Sequence, residues 1–133
     1  RDWSSDVCSS DLYKEWIKYS EKDFIAAQFL LSAPSPPVEI ICYHCQQSVE
    51  KILKAFLIKN DIIPSRTHDL NLLINECCKI DNEMSILKKE CNRLNDFGVN
   101  TRYPNNLDLI LDDAKIALKD AEKIKIHILN KID

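Results

Sequence analysis

Arginine is scarce in this chain, so its positions carry information. After the first residue it occurs only as Arg66, Arg93 and Arg102. Two of the three stand among other polar groups, in Arg66-Thr67-His68-Asp69 and in Thr101-Arg102-Tyr103-Pro104. Guanidinium forks pair with phosphate oxygens through two bonds, and a tyrosine ring stacks on a base. Arg66, His68, Arg102 and Tyr103 are therefore the candidate ligand-binding residues, for a nucleotide or an RNA phosphate. His68, whose ordinary pKa lies at about 6.5, is the candidate catalytic residue, as proton donor or acceptor. Part of the first motif has a plainer use: Thr67 suits a helix cap, and Asp69 suits the positive end of a first turn.

A second polar group lies upstream. Tyr43, Gln47, Glu50 and Lys54 recur at helical spacing, with His44, Gln46 and Lys51 beside them. This is either a solvated stripe carrying a Glu50 to Lys54 ion pair worth about 0.3–0.5 kcal/mol, or a face offered to a partner subunit. Within it, Cys42-Tyr43-His44-Cys45 matches C-x-x-C. A zinc site needs a second ligand pair, and the adjacent Cys77-Cys78 would point about 100° apart on a helix. A thioredoxin-like role needs a βαβ setting, which is missing here. No metal and no cofactor is expected.

The elements that position these groups follow from periodicity. With 133 residues, 45% hydrophobic and 29% charged, the chain can bury one core. Its one glycine, Gly98, leaves no material for a phosphate-binding glycine loop or for the tight turns of an all-β fold. Apolar positions at three- and four-residue steps predict a helix from Tyr13 to Ala33, stopped by Pro34, Pro36 and Pro37. They predict a second over 38–60, with Val38, Ile41, Cys42, Cys45, Val49, Ile52, Leu53 and Phe56 as its buried stripe. A third helix, capped by Thr67, ends near Ile80. A shorter fourth runs from about Glu83 to Phe97, and a last long one follows a cap at Asn106. The expected fold is all-α, an up-and-down bundle of four long helices plus one short one. Reversal at each connection would put the loops 61–66 and 98–105 at one pole, together with the amide-rich starts of helices three and five.

The first twelve residues, RDWSSDVCSSDL, are aperiodic and rich in Ser and Asp. They resemble a translated sequencing adapter and are set aside, leaving 13–133 as a single helical domain. A net charge of −3 gives no general polyanion-binding surface, so any nucleic-acid site must be local. The chain has no apolar run of membrane-spanning length and no signal pattern, which leads us to expect a cytoplasmic protein. Cys42, Cys45, Cys77, Cys78 and Cys91 fit buried thiols better than a disulfide framework.

Three segments occur in order: Tyr43-His44-x-Gln46-Gln47-x-x-Glu50-Lys51-x-x-Lys54-Ala55, then Thr67-His68-Asp69-Leu70, then Thr101-Arg102-Tyr103-Pro104 followed by a helix with spaced alanines. From about Tyr19 to Ile128 the chain resembles the prokaryotic HEPN domain family. That resemblance implies a helical bundle that forms homodimers and binds nucleotides or RNA. It also implies action beside a small nucleotidyltransferase, in two-component or toxin–antitoxin modules. Many members are ribonucleases marked by an arginine followed, after a few intervening residues, by a histidine. Arg66 and His68 are too close for that signature, and neither Arg93 nor Arg102 has a histidine at the required distance. The expectation is accordingly a binding component. The alternatives are a metal-independent ribonuclease toxin using His68, with Arg66 or Arg102 stabilising the transition state, and a non-catalytic dimeric interaction module presenting Tyr43, Gln47 and Lys51.

Overall fold

The computed structural model describes residues 11–98 and 109–132. Among the described residues five α-helices follow one another: α1 (Leu12–Leu31), α2 (Val38–Lys59), α3 (Leu70–Ile80), α4 (Lys88–Asn95) and α5 (Leu111–Ile132). Short 3-10 segments flank α4 at Asn82–Leu87 and Asp96–Gly98. The described residues form an all-α bundle, as expected. The fourth helix is split, with only its middle α-helical. The first helix starts at Leu12, inside the segment set aside, and Leu12 is buried.

The apolar stripe of α2 is the axis of the core. Ile41, Cys42, Cys45, Val49, Ile52, Leu53 and Phe56 are all buried, each large aliphatic side chain contributing roughly 1.5–3 kcal/mol. Burial continues beyond the stripe to Ala55, Leu57 and Ile58, because α1, α3 and α5 all pack on this one helix. On the α1 side the contact is close. Ser20 Oγ donates to the Ser48 carbonyl at 2.7 Å and Ser48 Oγ donates to the Ser20 carbonyl at 2.9 Å, so two small hydroxyls satisfy each other where a larger side chain would hold the helices apart.

The helix ends follow local chemistry. At the end of α2, Asp61 N–H donates to the Ile58 carbonyl at 3.0 Å and Ile62 N–H to the Leu57 carbonyl at 2.9 Å, with Asp61 left-handed at φ 62°. This is a Schellman stop with aspartate in the place glycine usually takes. Helix α3 is capped by Asp69, whose carboxylate accepts from Asn71 and Leu72 N–H. The expected cap, Thr67, instead accepts from Asp69 N–H at 3.0 Å, two residues too early to reach the first turn. Helix α5 begins at Leu111, where Asp113 Oδ2 accepts from Ile110 N–H at 2.8 Å and Asp113 N–H returns a bond to the Ile110 carbonyl. The expected cap Asn106 lies outside the described residues. Ile110 is largely exposed ahead of the helix.

One connection departs from simple reversal. Leaving α2 at Lys59, the chain climbs back along it, so that Gln46 Nε2 donates to the His68 carbonyl at 3.0 Å. Helix α3 then descends again: Ser65 Oγ meets Glu76 at 2.9 Å, and Asp81 beyond its end meets Lys131 near the end of α5 at 2.8 Å. It thus runs in the general sense of α2. Helix α4 is antiparallel to α3 and α5, through Leu70 to Asn95 and through Glu90 to Lys123 and Arg93 to Asp120. Helix α5 is antiparallel to α1, with Glu21 on Lys125, and parallel to α2. The expectation that helices three and five start at one pole therefore does not hold: α3 starts beside the middle of α2, and α5 at the end of α2 where that helix begins.

Candidate functional site

The climbing segment brings the first two polar motifs together. His68 Nδ1–H donates to Glu50 Oε1 at 2.9 Å, and Glu50 Oε2 accepts from Lys54 Nζ at 3.0 Å. The side chains of Glu50 and Lys54 are each only 5% exposed, whereas that of His68 is 72% exposed. A buried carboxylate thus holds one corner of a solvent-facing imidazole, and Nε2 lies on the side of the ring away from it. Gln47 joins the group, with Nε2 2.8 Å from Gln46 Oε1 and 3.5 Å from Glu50 Oε1. By the α-helical rise, His68 sits about 14 Å along α2 from its C-terminal end.

The solvated-stripe reading fails for Glu50 and Lys54. Covered by the chain itself, they form a buried pair, in which the desolvation of two charges is offset by mutual attraction and by the bonds from His68 and Gln47. Lys54 also lies 5.7 Å from the centre of the Trp16 ring of α1. The other members of the face, Tyr43, His44, Gln47 and Lys51, are partly exposed. His44 and Lys51 turn toward α1, where Asp23 receives His44 Nδ1 at 2.9 Å and the Lys51 ammonium. The sequence reading missed Asp23. Its signal was faint, since an aspartate beside Lys22 on an amphipathic helix looks like any solvated residue.

Arg66 is exposed on the same segment as His68, two residues earlier. Arg102 and Tyr103 lie outside the described residues, as does the rest of the third motif. The backbone amides expected to await an anion at the start of α3 are occupied. Leu70 N–H donates to Asn95 Oδ1 at 2.7 Å, Asn71 and Leu72 to Asp69, and Leu73 to the Asp69 carbonyl at 3.1 Å. What faces outward here is side chain rather than helix terminus. The remaining arginine, Arg93, is engaged with Asp120.

The C-x-x-C thiols are core groups. Burial is the chief cause that pushes Cys42 up to about 12, with Asp113 and Glu39 adding to it, and Cys45 is driven higher still by burial, then by Cys42 and Asp120. Cys77 is also buried and raised, and its Sγ lies 3.8 Å from the Leu53 carbonyl. A separate open groove between α4 and α5 is lined by Glu90, Arg93, Ile116, Asp120, Lys123 and Ile126. It contains none of the candidate site residues. No helix among the described residues is long and apolar enough to cross a membrane.

Comparison with known proteins decides the family. The HEPN domain family matches residues 13–131. The chain is a HEPN domain protein. This HEPN chain is 34% identical to a candidate toxin, MJ1304 of Methanocaldococcus jannaschii, over 84% of its own length and 82% of that protein. Its fold is shared with TT1696 from Thermus thermophilus, whose crystal structure superposes with a TM-score of 0.79 at 20% identity, covering 90% of this chain and 97% of that one.

Proposed function

We propose that this HEPN protein is a nucleotide- or RNA-binding component of a toxin–antitoxin or two-component module, acting as a homodimer beside a small nucleotidyltransferase, with residues 13–133 as its single domain. The observation that carries the reading is the exposed His68 ring tied through Nδ1 to buried Glu50, with exposed Arg66 two residues away. Arg66 and Arg102 supply the phosphate forks, His68 a further donor, and Tyr103 a stacking ring. The relative named as a candidate toxin supports the module assignment.

Calorimetric titration of the purified protein with mononucleotides and short single-stranded RNA tests this. Arg66→Ala and Arg102→Ala should each weaken binding about tenfold, the equivalent of ~1.4 kcal/mol, while far-ultraviolet circular dichroism stays unchanged. Undiminished affinity in both variants removes the site.

The Glu50–His68 pairing favours one second reading, a metal-independent ribonuclease in which His68 moves the proton and an arginine stabilises the phosphorane charge. Cleavage that persists in chelator and disappears in His68→Ala supports it. Intact RNA after prolonged incubation rules it out.

A further inference from the structure

Helix α5 carries a pattern on its outer side that packing within the chain does not use. From Ile116 to Ile126 it reads Ile-Ala-Leu-Lys-Asp-Ala-Glu-Lys-Ile-Lys-Ile, which by chemical type is nearly the same in both directions about Ala121: Ile116 mirrors Ile126, Leu118 mirrors Ile124, Lys119 mirrors Lys123 and Asp120 mirrors Glu122. Leu118, Ala121 and Ile124 are buried, whereas Ile116 is 49% and Ile126 52% exposed, with exposed Lys119 and Lys123 between them. We infer that this outer ridge of α5, with the groove beside α4, is the docking face for a second copy of the chain, the two α5 helices lying antiparallel about a two-fold axis at Ala121. This rests on the homodimer of the proposed function and names the surface that forms it.

Ile116, Lys119, Lys123 and Ile126 follow one another at steps of three, four and three, so they lie on one seam of the helix, about 15 Å long by the α-helical rise. The seam is not a flat face. Both isoleucines line the open trough between α4 and α5, with Glu90, Arg93 and Glu122, so the ridge of one copy has a trough to enter on the other. A mirrored seam is what a two-fold contact requires, because each residue meets its counterpart in both directions. A different protein would impose no such order. About Ala121, Ile116 of each copy meets Ile126 of the other, and apolar contacts close both ends of the interface. Lys119 falls opposite Lys123, whose ammonium is already bonded to Glu90 Oε2 at 2.5 Å. The other oxygen of that carboxylate is buried with no side-chain partner among the described residues, and exposed Glu122 has no ion pair among them, so acidic groups stand where the lysines of the two copies approach.

Sedimentation equilibrium of the full chain, at concentrations from about 1 to about 100 µM, tests this. The wild type should dimerise. Ile116→Glu and Ile126→Lys each strip an apolar contact from both ends of the interface and should raise the dimer dissociation constant about tenfold or more. Both side chains are half exposed, so far-ultraviolet circular dichroism should stay unchanged; Ile116→Ala and Ile126→Ala serve if a charged variant folds poorly. The double variant Ile116→Glu/Ile126→Lys sets an acid of each copy against a lysine of the other. Within one helix the two positions lie about 15 Å apart, so a double variant that dimerises better than the two separate losses combine to allow has gained an attraction across the interface. Phe29→Arg, changing a side chain 75% exposed on α1, should leave the dimer intact. A dimer that survives both Ile116→Glu and Ile126→Lys, or one lost in Phe29→Arg, overturns the inference and leaves the homodimer standing on another face. Losses that merely combine in the double variant overturn the antiparallel register and the inference with it. A wild type still monomeric at the highest concentration overturns both the inference and the homodimer, and leaves the ridge to a different protein.

Discussion

Arg93 and Asp120 are joined across α4 and α5 by a two-bond fork, Nε to Oδ2 at 2.9 Å and Nη2 to Oδ1 at 2.7 Å. Asp120 is 7% exposed while Arg93 reaches solvent. The one arginine outside the two candidate motifs after the first residue is thus committed to holding the short α4 against the long last helix. Arg93→Ala leaves a buried carboxylate without its partner and should cost about 2 kcal/mol, less than a fully buried pair because the guanidinium is half solvated. Urea denaturation measures it. A loss below about 0.5 kcal/mol would show that water replaces the fork.

The neighbouring pair gives a pH dependence. Burial pushes the Glu90 carboxyl up, but the Lys123 ammonium at 2.5 Å, with a backbone bond and Arg93, outweighs it and holds the group below its ordinary 4.5. A depressed native value means that this contribution is complete above the unfolded-state value and is lost as pH falls through the native one. Thermal midpoints measured from pH 7 down to 3 should therefore drop below about pH 4.5, and Glu90→Gln should flatten that limb. An equally steep limb in the variant would place the effect elsewhere.

The caps are separable by mutation. Asp69→Ala removes two bonds to α3 amides together with the Asn95 contact and should cost about 1–2 kcal/mol; Thr67→Ala, outside the helix, should cost about half a kcal/mol or less. Equal losses would contradict the assignment of the cap.

Asp61 holds a left-handed φ that glycine adopts freely. Asp61→Gly should stabilise the protein by about 0.5–1 kcal/mol, raising the thermal midpoint by a few degrees. A lower midpoint would mean that the aspartate side chain does more than fill the turn.

The thiols should react in order of exposure. At pH 8, alkylation of the native protein mapped by mass spectrometry should label part-exposed Cys78 before the buried Cys42, Cys45, Cys77 and Cys91, because thiolate is the reactive form and burial pushes Cys42 and Cys91 to about 12. Early labelling of Cys42 would show that α2 opens locally.

Helix existence was legible because it is written in short-range periodicity. The stripe from Ile41 to Phe56, the stop at Pro34 to Pro37 and the order of the Gln46-Gln47, Thr67-His68 and Thr101-Arg102 segments all sit within reach of a local pattern, and they led to an all-α HEPN chain. Burial of polar residues was not legible in this way. Glu50 and Lys54 have the spacing of a surface pair, and they become interior only because the segment carrying His68, eighteen positions away, folds back over one side of α2 while Trp16 of α1 covers the other. The same is true of Asp23, met by Lys51 twenty-eight positions on, and of the sense of α3. A residue pattern reports which face of a helix is apolar. Which neighbour covers its polar face, and so whether a charge there is solvated or locked to a histidine, depends on non-local packing that only the assembled bundle decides.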